Sequence, residues 1–303
     1  MLTPANTYYQ QVALLLDVLP LVTDEPCFAL KGGTAINLFV RDLPRLSVDI
    51  DLTYLPVQDR TTSFREVGTA LERLATSIQK RWPGRIERMT AEGHVFKLIV
   101  RRHHSQIKIE VSPVLRGCVR EPSIRGVCSM VEEQFGYVEV PVVHSHDLYS
   151  GKLCAALDRQ HPRDLFDVKQ LLEHEGLDDG LLEVFLVYLL SSNRSLTELL
   201  SPNLQPLART FEEQFRGMAL IPVTVEELEH TRKKMITLIH ERLTERQRTF
   251  LLSFKRGKPD WNLLSFDGIE RLPAVQWKLL NIQRMAPFKR EQAVERLRQV
   301  LTR

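Results

Sequence analysis

The stretch from Phe28 to Tyr54 constrains this chain most. An apolar run, Phe28-Ala29-Leu30-Lys31, meets the pair Gly32-Gly33, and Thr34 then opens the apolar segment Ala35-Ile36-Asn37-Leu38-Phe39-Val40. After Arg45-Leu46 comes Ser47-Val48-Asp49-Ile50-Asp51-Leu52-Thr53-Tyr54. The pattern predicts a short strand, a glycine turn, a brief helix and a second strand. Side chains alternate across a strand, so Ser47, Asp49 and Asp51 share one face while Val48, Ile50 and Leu52 share the other.

Two carboxylates projecting together repel unless water screens them or a cation lies between them. The adjacent turn offers the complementary group, because Gly32 and Gly33 leave backbone amides bare and the first N–H groups of the helix at Thr34 have no internal partner. Phosphate suits that position. Carboxylates that hold Mg²⁺ beside amides that hold phosphates are the equipment of nucleotidyl transfer. Taken singly, a Gly-Gly is an ordinary turn and an Asp-x-Asp an ordinary solvated strand edge. Lys31 has two readings, a phosphate contact or a side chain facing solvent.

Further along, Gln106-Ile107-Lys108-Ile109-Glu110-Val111 alternates as a strand that puts Lys108 and Glu110 on one face. A helix is predicted over Asp147–Arg159, with Lys152 and Arg159 seven apart on one stripe, and a second from Arg163 to about Glu175, with Asp164 and Asp167 in its acid-favouring first turns. The plain reading of these charges is helix capping and surface pairing. Arg159 and Arg163 fit a bidentate grip on phosphate, or pairing with Asp158 or Asp167. Asp164 fits either a proton acceptor or a group that orients Lys152.

Lys31-Gly32-Gly33-Thr34 followed by Arg45 through Asp51 resembles the opening motif of the AbiEii/AbiGii-type toxins, MenT-like nucleotidyltransferases of the DNA-polymerase-β-like superfamily. Lys152 through Arg159 and Arg163 through Val168 resemble the two downstream motifs of the same toxins, in the same order, over roughly the first 175 residues. The resemblance implies an α/β fold: a nucleotidyltransferase domain with a small mixed sheet over residues 1–144, and an all-helical domain over 145–303 that completes the nucleotide cleft and carries a basic end. It implies Asp49, Asp51, Lys152 and Asp164 as catalytic groups and Asp49, Asp51 and Glu110 as ligands of Mg²⁺ or Mn²⁺. Nucleotide phosphates would be held by Gly32, Gly33, Thr34, Ser47, Lys152, Arg159 and Arg163. Glu110 departs from the aspartate that many relatives carry at its position. The implied reaction moves an NMP from an NTP to an acceptor hydroxyl, expected on tRNA, and the implied partner is a separately encoded antitoxin.

Composition sharpens two points. From Thr231 to Arg303 there are 17 Lys+Arg against 7 Asp+Glu, a net +10, which leaves −7 for residues 1–230 out of the overall +3. A basic end beside a more acidic catalytic half suggests an anionic partner, RNA first; taken apart from the motif, the same charges read as solvated helix faces. Lys255–Asn262 and Leu272–Asn281 mix cations with tryptophans, which serve either to stack on bases or to close a helical core. Four cysteines without a Cys-x-x-Cys spacing exclude a zinc knuckle or redox pair. No apolar run is long enough to cross a bilayer and no leader pattern opens the chain, so a cytoplasmic protein with no membrane partner is expected.

The remaining helices are expected from a cap at Asn6 or Thr7 to near Pro20, over Thr61–Lys80 with Trp82-Pro83-Gly84 as its stop, over Leu181–Leu190, over Leu204–Arg216, and from Thr224 to about Phe254. Other strands are expected at Arg85–Met89 and Val95–Val100, with a last edge strand at Val138–Val143. His144-Ser145-His146-Asp147 reads as a loop with Asp147 capping the next helix. The rival functions are a non-catalytic module that binds nucleotide or RNA, and nucleotidylation of a protein or small molecule.

Overall fold

The computed structural model describes residues 7–82 and 84–302; Asn6 and Pro83 lie outside them. The chain divides into two compact units, Met1–His144 with Gly217–Ile221, and Ser145–Arg216 with Pro222–Arg303. Gly217–Ile221 belongs to the first unit because Leu46 N–H donates to Met218 O at 2.9 Å and Leu220 N–H to Pro44 O at 2.8 Å.

In the first unit the apolar spacing of Val12, Leu15, Leu16 and Leu19 makes helix α1 (Thr7–Thr23), whose buried side it defines. The helix runs through Pro20 instead of stopping there. Strand β1 (Phe28–Lys31) leads into α2, which opens over Gly32–Thr34 and continues with π geometry over Ala35–Val40. Then follow β2 (Asp49–Tyr54), α3 (Arg60–Arg81), β3 (Arg85–Ala91), β4 (His94–Arg102), β5 (Ser105–Arg116), β6 (Ser123–Gly126), α4 (Ser129–Phe135) and β7 (Glu139–Val142). The strands form one mixed sheet in the order β3-β4-β5-β2-β1-β7-β6. β7 is therefore an inner strand, parallel to β1, and β6 takes the edge expected of it.

One sheet face is apolar. Leu98, Ile109 and Ile50 lie in a row across β4, β5 and β2, all fully buried, and α3 covers this face with the Phe64 ring 4.6 Å from that of Phe96. The other face carries the charged residues of β4, β5 and β2, so the period-two pattern of the sequence becomes a sheet with one packed side and one charged side.

The second unit, among its described residues, is helical: α5 (Ser145–Arg159), α6 (Pro162–His174), α7 (Asp179–Ser191), α8 (Leu196–Leu200), α9 (Ala208–Gln214), α10 (Val225–Arg242), α11 (Glu245–Lys255), α12 (Pro273–Gln283) and α13 (Pro287–Leu301). Apolar α7 is buried nearly all round. α5 begins at Ser145, ahead of Asp147, which is not a cap: it lies inside the first turn, buried, and accepts a hydrogen bond from Tyr188 Oη at 3.1 Å. The single helix expected from Thr224 breaks at Leu243-Thr244. Thr244 and Gln247 form a second capping box there, as Thr224 and Glu227 do at the start of α10. The expected Leu204–Arg216 helix shortens to α9. All four cysteines are free.

Candidate functional site

In the first unit the site is built on the register of three strands. Lys31 pairs with Asp51 across β1 and β2, and Asp51 pairs with Glu110 across β2 and β5. Residues opposite one another in a ladder share a face, so Lys31, Asp51 and Glu110 form one row, and Asp49 with Lys108 forms the next. Lys108 Nζ lies 3.6 Å from Asp49 Oδ2 and 3.4 Å from Glu110 Oε2, and Lys97 Nζ lies 3.2 Å from the same Glu110 oxygen. Burial pulls the Lys108 ammonium down, but Asp49, Glu110 and Asp51 outweigh it and hold the group above the ordinary lysine range. Lys31 moves the other way: burial lowers it, and the pull of Asp51 only partly opposes.

The glycine turn stands directly against these carboxylates. Gly32 has φ +77°, and a Cβ there would meet Asp51 Oδ2 at 2.5 Å; a side chain would clash and the backbone favours glycine. A Cβ on Gly33 would meet Arg45 Nη2 at 2.7 Å and Ser47 Oγ at 2.8 Å. Thr34 is fully buried, and its hydroxyl donates to Asp49 O at 2.5 Å with Ser47 Oγ at 3.1 Å. Gly32, Gly33, Thr34, Ser47, Asp49 and Asp51 are thus brought together, with the Thr34 side chain tying the turn to β2. Arg45 stands in the opening motif, but the sequence assigned it no role. It is buried, donates to Leu46 O at 2.8 Å, and backs the Gly33 turn; only the fold brings it there.

The donor set suits a hard divalent cation held by two carboxylates, with water and substrate phosphates completing the shell. Asp49 and Asp51 are oxygen donors on one face, and the Lys108 ammonium drawn to Asp49 and Glu110 shows that face attracting positive charge. Glu110 is engaged by two lysines, and among the described residues no three His, Cys, Asp or Glu side chains converge as a metal cage.

In the second unit, Lys152 is 7% exposed and lies between two aspartates still more buried than itself: Nζ is 2.9 Å from Asp164 Oδ1 and 2.9 Å from Asp167 Oδ2. Arg159 Nη2, on an exposed side chain, closes on Asp164 from the other side at 2.9 and 3.1 Å. The sequence left Arg159 a phosphate grip or a pairing with Asp158 or Asp167; it pairs instead with Asp164, while Asp158 binds Arg194 at 2.7 Å. Asp167, whose spacing three after Asp164 the sequence shows but to which it assigned no place in the site, is the other carboxylate of the cluster. His161 caps α6 by accepting from Arg163 N–H through Nδ1 at 3.1 Å, and Pro162 follows at the first helical position. Burial lowers the His161 imidazole below its ordinary range, consistent with a neutral ring whose lone pair caps.

A sheet with a glycine turn against an aspartate pair, in a chain that also carries a buried lysine-aspartate cluster on two consecutive helices, has the parts of a nucleotidyltransferase. The chain belongs to the AbiEii nucleotidyl transferase toxins of type IV toxin–antitoxin systems, whose family model matches residues 13–281. Membership brings with it an NTP substrate and an antitoxin partner. Among solved structures, the fold is similar to MenT4, the nucleotidyltransferase toxin Rv2826c from Mycobacterium tuberculosis H37Rv, with a TM-score of 0.57 and 15% sequence identity over 91% of this chain and 95% of that one. No curated protein matches the chain by sequence. No helix among the described residues is long and apolar enough to cross a membrane.

Proposed function

We propose that this nucleotidyltransferase transfers an NMP to a hydroxyl of RNA, with tRNA the acceptor, and that it uses Mg²⁺ or Mn²⁺. The observation that carries the reading is the closeness of turn and carboxylate: a Cβ on Gly32 would lie 2.5 Å from Asp51 Oδ2, so any side chain there displaces that carboxylate. Amides suited to phosphate and a carboxylate suited to a phosphate-bound cation therefore lie side by side.

The acceptor hydroxyl loses its proton to water as its oxygen attacks the α-phosphorus, the bond to the bridging oxygen breaks, and pyrophosphate leaves with the electron pair. Asp49 and Asp51 would hold the cation, which neutralises phosphate charge and lowers the pKa of the attacking hydroxyl. Gly32, Gly33 and the Thr34 backbone seat phosphate, while the Ser47 and Thr34 hydroxyls keep the turn on β2. Glu110, shared between Lys97 and Lys108, shapes the field of the face more than it ligates. In the second unit, Asp164 already accepts from Lys152 and Arg159, which suits an orienting role better than that of a base. Arg159 offers exposed N–H groups to phosphate. Arg163, half-buried and with its guanidinium unpaired among the described residues, offers more.

The test is incubation of the purified protein with each labelled NTP, Mg²⁺ or Mn²⁺, and either total tRNA or lysate protein. Label is expected on tRNA, lost by a factor of about a thousand or more in Asp51→Ala and by less than about tenfold in Glu110→Gln. Label on protein instead of RNA would refute the acceptor, and no label with any NTP would point to a non-catalytic binding module.

A further inference from the structure

The second unit carries a group of cations that the site does not use. Helix α11 ends at Arg256, and Gly257, with φ +81°, turns the chain toward Lys258. This turn abuts the end of α12 and the start of α13: Gln283 Nε2 donates to Gly257 O at 3.1 Å, and Arg290 Nη1 donates to Gln283 O at 3.3 Å. Arg256 and Lys258 flank Gly257, Arg284 follows Gln283, and Lys289 precedes Arg290. Chain connectivity therefore gathers five cations at one three-helix junction.

Among the described residues, the side chains of Arg256, Lys258, Arg284 and Lys289 are exposed and hold no hydrogen bond or ion pair. Other arginines of the chain do bind carboxylates, Arg60, Arg73, Arg88 and Arg102 in the first unit and Arg194, Arg209 and Arg216 in the second. The helix dipole accounts for Arg256 and Arg284, which sit at helix C-termini, but it opposes Lys289 and Arg290, which sit in the first turn of α13, ahead of Glu291.

Exposed rings adjoin the cations. Phe288, next to Lys289, is 73% exposed, and Trp277 is 55% exposed. Trp277, Leu280 and Arg284 follow one another at helical spacing on a single outer stripe of α12 that leads to the junction. Trp261 differs: its ring packs 5.7 Å from Phe250 and 6.2 Å from Phe254. Of the two tryptophans that the sequence left open, one closes the core and the other faces out.

We propose that the α11–α12–α13 junction, with the Trp277 stripe, is an RNA-anchoring surface that grips the body of the acceptor by its phosphates and stacks unpaired bases on Trp277 and Phe288. The inference rests on the RNA reading above. Unpaired cations supply phosphate contacts without sequence preference, and flat exposed rings supply the stacking that a purely electrostatic patch lacks. An acidic protein would need the cations but would leave two large rings without a role.

The test uses the full chain and labelled total tRNA, with binding followed by fluorescence anisotropy over a series of KCl concentrations. In the triple variant Arg256→Gln/Lys258→Gln/Lys289→Gln, affinity is expected to fall at least tenfold, and the slope of log Kd against log salt by about 2 to 3, at roughly 0.7 to 0.9 per lost phosphate contact. In Trp277→Ala/Phe288→Ala, affinity for a short single-stranded RNA is expected to fall with little change of slope. Both variants should keep the wild-type unfolding midpoint and NTP affinity. Unchanged RNA affinity and slope in the triple variant would overturn the proposal, as would wild-type binding to phosphatidylserine vesicles that the triple variant loses while keeping RNA. The two readings separate in the labelling assay. Wild-type label on tRNA with an unchanged KM for tRNA in the triple variant removes the anchor and leaves the acceptor, whereas lost RNA binding with no wild-type label does the reverse.

Discussion

Replacing Lys152 by Met tests whether the second unit is organised around a buried charge cluster. Lys152 Nζ makes 2.9 Å contacts with both Asp164 and Asp167. Asp164 keeps Arg159 after the substitution, whereas Asp167, 1% exposed, loses its 2.9 Å contact with the ammonium. The cost is that of taking the ammonium away from two buried carboxylates. Removing one partner of a buried pair costs about 3–5 kcal/mol. For a domain of this size that corresponds to a fall in Tm of roughly 6–20 °C at about 2–4 °C per kcal/mol. Adding Asp167→Asn removes one of the two carboxylates that the ammonium neutralised and should recover about 2 kcal/mol, leaving the smaller cost of an amide in its place. Urea unfolding followed by circular dichroism at constant pH gives both numbers. A Lys152→Met penalty below about 1 kcal/mol, or no recovery in the double variant, would show that Lys152 does not hold this cluster together.

Two further outcomes follow from single residues. Gly32→Ala puts a methyl group 2.5 Å from Asp51 Oδ2 at a φ of +77°; displacing that carboxylate by an ångström should lower kcat about a hundredfold while the protein stays folded, and near-normal turnover would mean Asp51 need not sit against the turn. Burial and the neighbouring Lys255 push the Lys278 ammonium down to about 8, so its nitrogen should titrate near that pH in NMR of lysine-labelled protein. Between about pH 8 and the ordinary lysine value the unfolded chain then binds more protons than the folded one, so stability from this group rises with pH over that interval; a midpoint at the ordinary value would contradict the burial.

What the sequence disclosed was what neighbouring residues decide. Period-two alternation gave the face of Asp49 and Asp51, the Gly-Gly turn was visible beside it, and the motif order gave the nucleotidyltransferase class. Long-range pairing was out of reach. That Glu110 stands opposite Asp51 depends on β2 and β5 pairing in parallel across more than fifty residues of chain. β7 was mistaken for an edge because Ser123-Ile124-Arg125-Gly126, too short and polar to read as a strand, pairs outside it. The return of Gly217–Ile221 to the first unit leaves no periodic signal at all. The break at Thr244 was legible in principle, since Thr244-Glu245-Arg246-Gln247 carries the capping pattern, but the apolar spacing on either side continued across it and masked the stop.

The two charge clusters show why a chain keeps polar groups it would be more stable without. In the second unit, Lys152, Asp164 and Asp167 are withdrawn from water, where desolvation consumes most of what pairing returns and an apolar core of the same shape would be as stable or more so. What such a cluster provides is fixed geometry: Asp164 accepts from Lys152 and Arg159 at once, so the guanidinium on its exposed stem is held at one end. In the first unit the carboxylates of Asp49 and Glu110 remain more than a third exposed on their side chains, and their lysine partners stand at 3.2–3.6 Å. Such loose, solvated pairs cost little to open. The carboxylates there can exchange partners when a ligand arrives, while the buried cluster cannot. The rigid charge network of one unit fixes the geometry of its own groups, and the solvated one of the other is free to trade its lysines for a cation.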